Sequence, residues 1–331
     1  TWRWAGRLIQ VQNLPQNKLK DLELARNIVK SGDYETLELL FESVSSTLSQ
    51  LIRTAFIPSI GNRFIVADFS AIEARVIAWI AGEDWRMDVF RTHGKIYEAS
   101  AAHMFSVPIE SITKGNPLRQ KGKIAELALG YGGSVGALTV MGALDMGLEE
   151  NELPDLVAAW RDANPNIVKF WWAVGNAAMK AVKEKTSVHL QFGIVISCEA
   201  SMLFIKLPSG HRLAYVRPRI EVDDKFGREG ITYEGTDQVT KKWGRVKTYG
   251  PKLVENIVQA IARDCLAVSM LRLDEAGYNT VMHVHDEVIL DMPKGEGSLE
   301  EACEIMGQPI KWAPGLPLRA DGFETDFYKK D

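Results

Sequence analysis

Asp68 follows the apolar run Phe64-Ile65-Val66-Ala67 and precedes Phe69-Ser70-Ala71-Ile72-Glu73. A carboxylate at the end of a buried strand is either a structural acid satisfied by the next helix or a hard oxygen ligand for a cation. Asp286 lies in His283-Val284-His285-Asp286-Glu287. Two adjacent acids after two histidines suit a divalent metal, although Asp also serves tight turns without one. The two acidic sites are far apart in sequence, and spacing alone does not pair them. A third set is Arg119, Lys123, Leu127 and Tyr131, followed by Gly132-Gly133. Steps of four residues drift about 40° each around a helix, so these side chains share one broad face. Its two cations, one turn apart with no acid between them on that face, gain no pairing. Either the face is simply solvated, or it offers positive charge to a polyphosphate, with a ring beyond it for a base.

The elements that position these residues follow from periodicity. The first fifteen residues, ending Asn13-Leu14-Pro15, read as extended. Helical spacing predicts helices over 19–31 and 34–56, and Arg63 to Asp68 reads as a strand. Ser70-Ala71-Ile72-Glu73 fits a capping box for the next helix, and Gly82 fits its stop. Helical pattern then runs from Ile96 to Lys185, broken near Pro108, Pro117 and Gly130 to Gly136. Strands are expected over 188–197, 203–206 and 212–216, with a turn at Pro208-Ser209-Gly210. A long helix over 253–276 leads into a strand pair, 280–285 and 287–292, turning at His285-Asp286. Strands bracket a helical middle, so the fold class is α+β.

Composition narrows the function classes. The chain has 331 residues, 46% hydrophobic and 25% charged, with a net charge of −4. That is an ordinary globular make-up with room for about two domains. The most apolar stretch, Phe64 to Gly82, is interrupted by Asp68, Glu73 and Arg75, so no membrane span is expected. Cys198, Cys265 and Cys303 form no C-x-x-C pair and are read as reduced thiols in a cytosol-like compartment. Lys241, Lys242, Arg245, Lys247 and Lys252 occur with no acid among them. They form either a solvated loop or a phosphate-tracking patch. The start Thr1-Trp2-Arg3-Trp4 has no initiator Met and reads as a piece of something longer.

Together these segments resemble the family A DNA polymerases. Asp68-Phe69-Ser70-Ala71-Ile72-Glu73-Ala74-Arg75 is similar to the family's first palm motif, D-Y-S-Q-I-E-L-R. Arg119, Lys123 and Tyr131-Gly132 have the spacing of its fingers helix, and Val284-His285-Asp286-Glu287 is similar to its V-H-D-E motif. Gly6-Arg7-Leu8 with Gln12-Asn13-Leu14-Pro15 is similar to its T-G-R-L-S-S…L-Q-N-I-P segment. The four motifs occur in the family's order. The insert containing Asn164-Pro165 and Leu207-Pro208-Ser209-Gly210 is closer to phage and prophage members.

The resemblance implies a palm with a mostly antiparallel sheet and a largely helical fingers subdomain. It assigns residues 1–90 and 246–331 to the palm and 91–245 to fingers and insert. It also implies DNA synthesis, with deoxynucleoside triphosphates added to a primer 3′-OH on primer-template DNA. Asp68, Asp286 and the Phe69 carbonyl would hold two Mg²⁺ ions. Arg119 and Lys123 would grip the triphosphate, Lys123 also protonating pyrophosphate, with Glu287 a secondary acid. Tyr131 would support the nascent base pair, and His285 would lie by the primer end. Glu73 would fill the space near the sugar 2′ carbon and bond Tyr131, favouring deoxynucleotides. Arg7 and Gln259 would read the minor groove of the primer-terminal pair.

Departures from the family pattern carry expectations of their own. Leu127 stands where many members have Phe or Tyr, which predicts poor use of dideoxynucleotides. Lys95-Ile96-Tyr97 replaces a D-x-H sequence, which removes a histidine phosphate contact and leaves Tyr97 without an assigned role. Glu255 stands where the family has Asn, with Asn256 one place off. Five residues precede Gly6, so the expectation is palm and fingers only. A thumb and proofreading exonuclease, or other replication proteins, are then further partners, and a phage-encoded enzyme would work in the bacterial host cytoplasm. The rival readings are a catalytically idle DNA-binding remnant, a single-subunit RNA polymerase, which Glu73 disfavours, and a magnesium nuclease, which has no need of the Arg119–Tyr131 face.

Overall fold

The computed structural model describes Trp4, Gly6 and residues 9–41, 43–113, 115–222, 227–237 and 240–330. Helices α1 (Leu22–Ser31), α2 (Tyr34–Leu40) and α3 (Val44–Leu51) precede strand β1 (Asn62–Phe69). A helical stretch follows, with α4 (Ile72–Ala81), α5 (Asp84–Arg91), α6 (Ile96–Phe105) and α7 (Pro117–Leu129). It continues through α8 (Val135–Val140), α9 (Leu153–Ala163) and α10 (Pro165–Glu184). Next come β2 (Ser187–His189), β3 (Val195–Glu199), β4 (Met202–Lys206), β5 (Arg212–Val222), β6 (Glu229–Thr236) and β7 (Trp243–Thr248). The remaining elements are α11 (Gly250–Glu275), β8 (Thr280–Val284), β9 (Glu287–Pro293), α12 (Leu299–Gly307) and β10 (Ala320–Thr325). The class is α+β, as expected. No helix among the described residues is long and apolar enough to cross a membrane.

The chain divides into two compact units. One contains the described residues up to Ser70 together with Cys265–Gln308 and Leu318 onward; the other contains Ala71–Asp264 and Pro309–Pro317. In the first unit a four-stranded antiparallel sheet has the order β10-β1-β9-β8. β1 is central, and its run from Phe64 to Ala67 is buried on both faces. One face packs Phe64 and Val66 with Val11, Val284, Ile289 and Tyr328, while α12 lies against β1 and β10. A Cβ on Gly322 would fall 1.9 Å from the Val66 carbonyl oxygen, so β10 approaches β1 only with glycine there. Neither β10 nor α12 was expected from the sequence. The helix expected over 34–56 is two helices: Phe41 turns extended (φ −127), and Ser43 caps the second by accepting from Ser46 N at 3.3 Å.

In the second unit, α6, α7 and α9 pack together. Gly122 makes this possible, because a Cβ there would sit 2.3 Å from the Tyr97 carbonyl oxygen. Glu126 of α7 forms a buried pair with Arg86 of α5 and accepts from Ser100 Oγ at 2.8 Å and Trp160 Nε1 at 3.0 Å. Each partner comes from a different helix, so the acid's desolvation is offset on several sides. Glu83 caps α10, its Oε2 accepting from Asn166 N (2.9 Å) and Ile167 N (3.2 Å). Gly82 stops α4 in the left-handed region, as expected. The N-cap of α4 is Ala71 (φ 51), one residue later than the Ser70 of the expected capping box.

The second unit also holds a six-stranded antiparallel sheet in simple meander order, β2 to β7. The strand expected over 188–197 is a hairpin, because Phe192 (φ 54) and Gly193 (φ 73) reverse the chain between β2 and β3. β6 and β7 were not expected. The basic stretch read as a loop or patch contains a strand, β7, at the sheet's edge. Ile196, Leu203, Ile205, Leu213 and Ile231 are buried on one face, and α10 packs against β2 to β5.

Candidate active site

The carboxylates in the first unit are assembled by strand register. Asp68, near the end of β1, is the direct cross-strand partner of Glu287, the first residue of β9. On the other side it is opposite Asp321 of β10. The Phe69 N–H donates to the Asp286 carbonyl oxygen at 3.2 Å, tying the end of β1 to the β8–β9 turn. His285 in that turn adopts φ 57, a left-handed conformation suited to a tight reversal. Asp68, Phe69, His285, Asp286 and Glu287 are therefore brought together, although spacing alone did not pair them.

The electrostatics are those of a site short of positive charge. The Asp68 carboxyl is pushed up to about 7, first by burial and then by the charges of Asp286 and Glu287, with Lys330 pulling the other way. Its Oδ1 is buried and has no hydrogen-bond partner. Burial also raises Glu287, partly offset by the Tyr328 hydroxyl, which donates to Glu287 Oε1 at 2.7 Å. Arg53, 2% exposed, lies with its guanidinium 5.8 Å from the Tyr328 ring centre and donates to the Leu14 and Pro15 carbonyls at 2.6 and 2.9 Å. Tyr328, Arg53 and Lys330 were missed from sequence. They are far from the motifs along the chain, and no local pattern marks them.

Among the described residues no group of three or more His, Cys, Asp or Glu side chains converges as a metal cage. Hard divalent cations such as Mg²⁺ do not need one, since they bind through one or two carboxylates with water and phosphate oxygens completing the shell. An orphaned carboxylate oxygen with raised proton affinity fits such a cation.

In the second unit, Arg119, Lys123 and Leu127 lie on α7 away from its buried Gly122, Ala125 and Leu129. Asn116 caps this helix by accepting from Leu118 N at 2.8 Å, and Pro117 opens it. Lys123 has no ion pair among the described residues. Arg119 does pair, though with an acid from another helix: its Nε donates to Glu98 Oε1 at 2.7 Å. Burial opposes ionisation of Glu98, and the Arg119 contact more than offsets it, holding the carboxyl below its usual value. The acid comes from α6, which no pattern along α7 could reveal. Tyr97, also on α6, has its ring centre 5.7 Å from the Arg119 guanidinium. Leu127 is 52% exposed. Just past the end of α7, the Tyr131 hydroxyl donates to Glu73 Oε2 at 2.7 Å.

Gln259, on α11, is mostly buried and donates to Glu255 Oε1 at 3.3 Å, while Glu255 pairs with Lys252 at 2.8 Å. Asn256 is turned the other way and donates to the Tyr215 hydroxyl at 3.0 Å. Arg7 lies outside the described residues.

The model of the DNA polymerase family A matches residues 12–194. The DNA polymerase of Bacillus phage SP02 is 66% identical over 331 residues, 100% of this chain and 51% of that protein. The thermostable DNA polymerase I of Thermus aquaticus is 27% identical over 271 residues, 80% of this chain and 27% of that protein. Among solved structures, the POL domain of Pol1 from M. smegmatis, in complex with DNA primer-template and dNTP, is similar in fold. Its TM-score is 0.56 at 21% identity, covering 84% of this chain and 42% of that one. The chain thus spans about half the length of the phage protein it matches.

Proposed function

The chain belongs to DNA polymerase family A, and from that premise we propose that it carries out template-directed DNA synthesis, adding deoxynucleotides to a primer 3′-OH. The observation that carries this reading is the Asp68 carboxylate, with one oxygen lacking a hydrogen-bond partner, opposite Glu287 and next to the Asp286 turn. We assign the unit with the β10-β1-β9-β8 sheet to the palm, and the helices around α7 to the fingers.

Asp68 and Asp286, with the Phe69 carbonyl, would hold two Mg²⁺ ions. Bound there, such ions would supply Lewis-acid chemistry, favouring ionisation of a primer hydroxyl and neutralising charge on the triphosphate and its leaving group. Lys123 binds the triphosphate and supplies a proton to departing pyrophosphate. Arg119 grips the same phosphates, and a bound triphosphate competes with Glu98 for its guanidinium. Glu287, held by Tyr328, adds negative charge behind the metal ligands. Glu73, fixed by Tyr131, occupies the space a ribose 2′-OH would need. His285 contacts the primer end, and Arg7 and Gln259 check the minor groove of the terminal pair, Gln259 after exchanging its Glu255 contact. Primer-template DNA and deoxynucleoside triphosphates are the partners, like those bound to the M. smegmatis domain. The phage SP02 relative supports a phage-type enzyme working in a bacterial cytoplasm.

The test is primer extension on primed DNA with Mg²⁺, comparing deoxy- with ribonucleotides and running Asp286→Asn alongside. Deoxy-specific extension that the variant loses is the expected result. A chain that binds primed DNA and adds no nucleotide would instead be an idle DNA-binding remnant.

A further inference from the structure

The six-stranded sheet buries one face under α10 and leaves the other in solvent. Cross-strand register puts Lys206, Arg212, Arg219, Arg245 and Lys247 on the solvent side. Arg219 of β5, Thr232 of β6 and Lys247 of β7 form one transverse row across about 10 Å. Along β7, Trp243, Arg245 and Lys247 follow at steps of about 7 Å, and Trp243 is 64% exposed. Lys241 and Lys242 extend the positive edge in the turn before β7.

Among the described residues, Glu199, Glu221 and Glu234 on this face each have an arginine nearby. Glu199 pairs with Arg212 at 3.1 Å, and Glu234 with Arg217 at 3.2 Å. Arg245 lies 3.8 Å from both Glu221 and Glu234. Lys206 and Arg219 have no acid partner among the described residues, so the face carries surplus positive charge. The imbalance is also visible in sequence. Residues 206–252 contain 11 Lys and Arg against 6 Asp and Glu, a surplus of +5 in a chain whose total is −4. The remainder therefore sums to −9. Positive charge concentrated on one face of an otherwise acidic protein is the electrostatic footprint of a polyanion site.

We propose that the solvent face of the β2–β7 sheet binds single-stranded DNA through its phosphate backbone, without reading sequence. Single strands are the occupant because the cations lie beside an exposed indole on an open sheet. Bases can stack on such a ring while phosphates track the charges. Arg212 is already stacked over Phe204, its guanidinium 3.8 Å from the ring centre, so Trp243 is the stacking surface and Phe204 is not. The inference rests on the polymerase reading only in that DNA is the polymer at hand. It adds a contact surface built from the insert strands.

The test measures fluorescence anisotropy of a labelled oligothymidylate of about 20 nucleotides across a salt series, using the full chain. Arg219→Gln, Lys241→Gln, Lys242→Gln and Lys247→Gln combined should weaken binding at least tenfold. They should also flatten the dependence of log affinity on log salt by about 3, close to 0.7 for each cation removed. Trp243→Ala alone should cost several-fold, and Arg219→Lys should retain binding. Melting by circular dichroism verifies that each variant is folded. Undiminished oligothymidylate binding by both the combined variant and Trp243→Ala overturns the inference, as does a wild-type chain that fails to bind. A larger loss for duplex than for oligothymidylate overturns the single-strand assignment. Asp286→Asn separates the two readings, since it should abolish primer extension while leaving oligothymidylate binding in place. Extension that survives in Asp286→Asn counts against the polymerase reading alone.

Discussion

The Tyr131 hydroxyl donates to Glu73 Oε2 at 2.7 Å, linking the loop after α7 to the first turn of α4. A carboxylate held by a phenol has a fixed orientation, so in the proposed role it would exclude a ribose hydroxyl sterically as well as electrostatically. Glu73→Ala should raise the ratio of ribo- to deoxynucleotide incorporation about tenfold or more, which corresponds to about 1.4 kcal/mol of lost discrimination. Tyr131→Phe should raise it less, because the acid remains but is no longer held. Single-nucleotide extension measures both ratios, and an unchanged ratio in Glu73→Ala removes the residue from sugar selection.

The raised Asp68 carboxyl predicts a coupling between pH, Mg²⁺ and stability. With a folded value of about 7 against an ordinary 3.8, folding takes up a proton between those limits. In EDTA this contribution is fully present below pH 3.8 and is lost as pH rises through 7. Melting temperature should therefore fall by several degrees between pH 5 and 8, since about two pH units of linkage correspond to roughly 2–3 kcal/mol. Mg²⁺ should restore it at pH 8 and have little effect at pH 5. Asp68→Asn should flatten both responses. A Mg²⁺ shift equal at the two pH values would contradict the assignment.

Tyr328→Phe keeps the ring near Arg53 but removes the hydrogen donated to Glu287. A buried carboxylate left without its partner costs about 1–3 kcal/mol, to be read from the urea unfolding midpoint. Glu287→Gln, whose amide oxygen still accepts from the phenol, should lose less. Equal losses would mean that packing, not the hydrogen bond, sets the effect.

Leu127, exposed on α7, has no hydroxyl to replace a missing 3′-OH. The chain should discriminate against dideoxynucleotides, and Leu127→Tyr should raise their incorporation about tenfold or more. Competition between dideoxy- and deoxynucleotides in primer extension measures it. Unchanged incorporation refutes the idea.

The catalytic-motif segments were the legible part of the chain. The apolar run before Asp68 specifies a buried strand, and Gly82 specifies where α4 stops. What could not be read was supplied by tertiary contact. Glu98 reaches Arg119 from a neighbouring helix, and Tyr328 reaches Glu287 from beyond the last motif. β10 has a sequence, Ala320-Asp-Gly-Phe-Glu-Thr325, too polar to announce a strand. β7 does alternate, but its outward residues are Trp243, Arg245 and Lys247, and their charge resembles a loop when the buried Thr248 is unknown. The same one-sided solvation hid β6, where Gly230 and Gly235 weaken the strand signal.

Gly122 has a mechanical consequence. With no side chain between them, the backbones of α6 and α7 are in direct touch, and Glu126 keys the same helix to α5 and α9. Helix α7 is therefore geared to its neighbours: it cannot slide or roll alone, and any swing carries Arg119, Lys123 and the Glu98 anchor together as one lever.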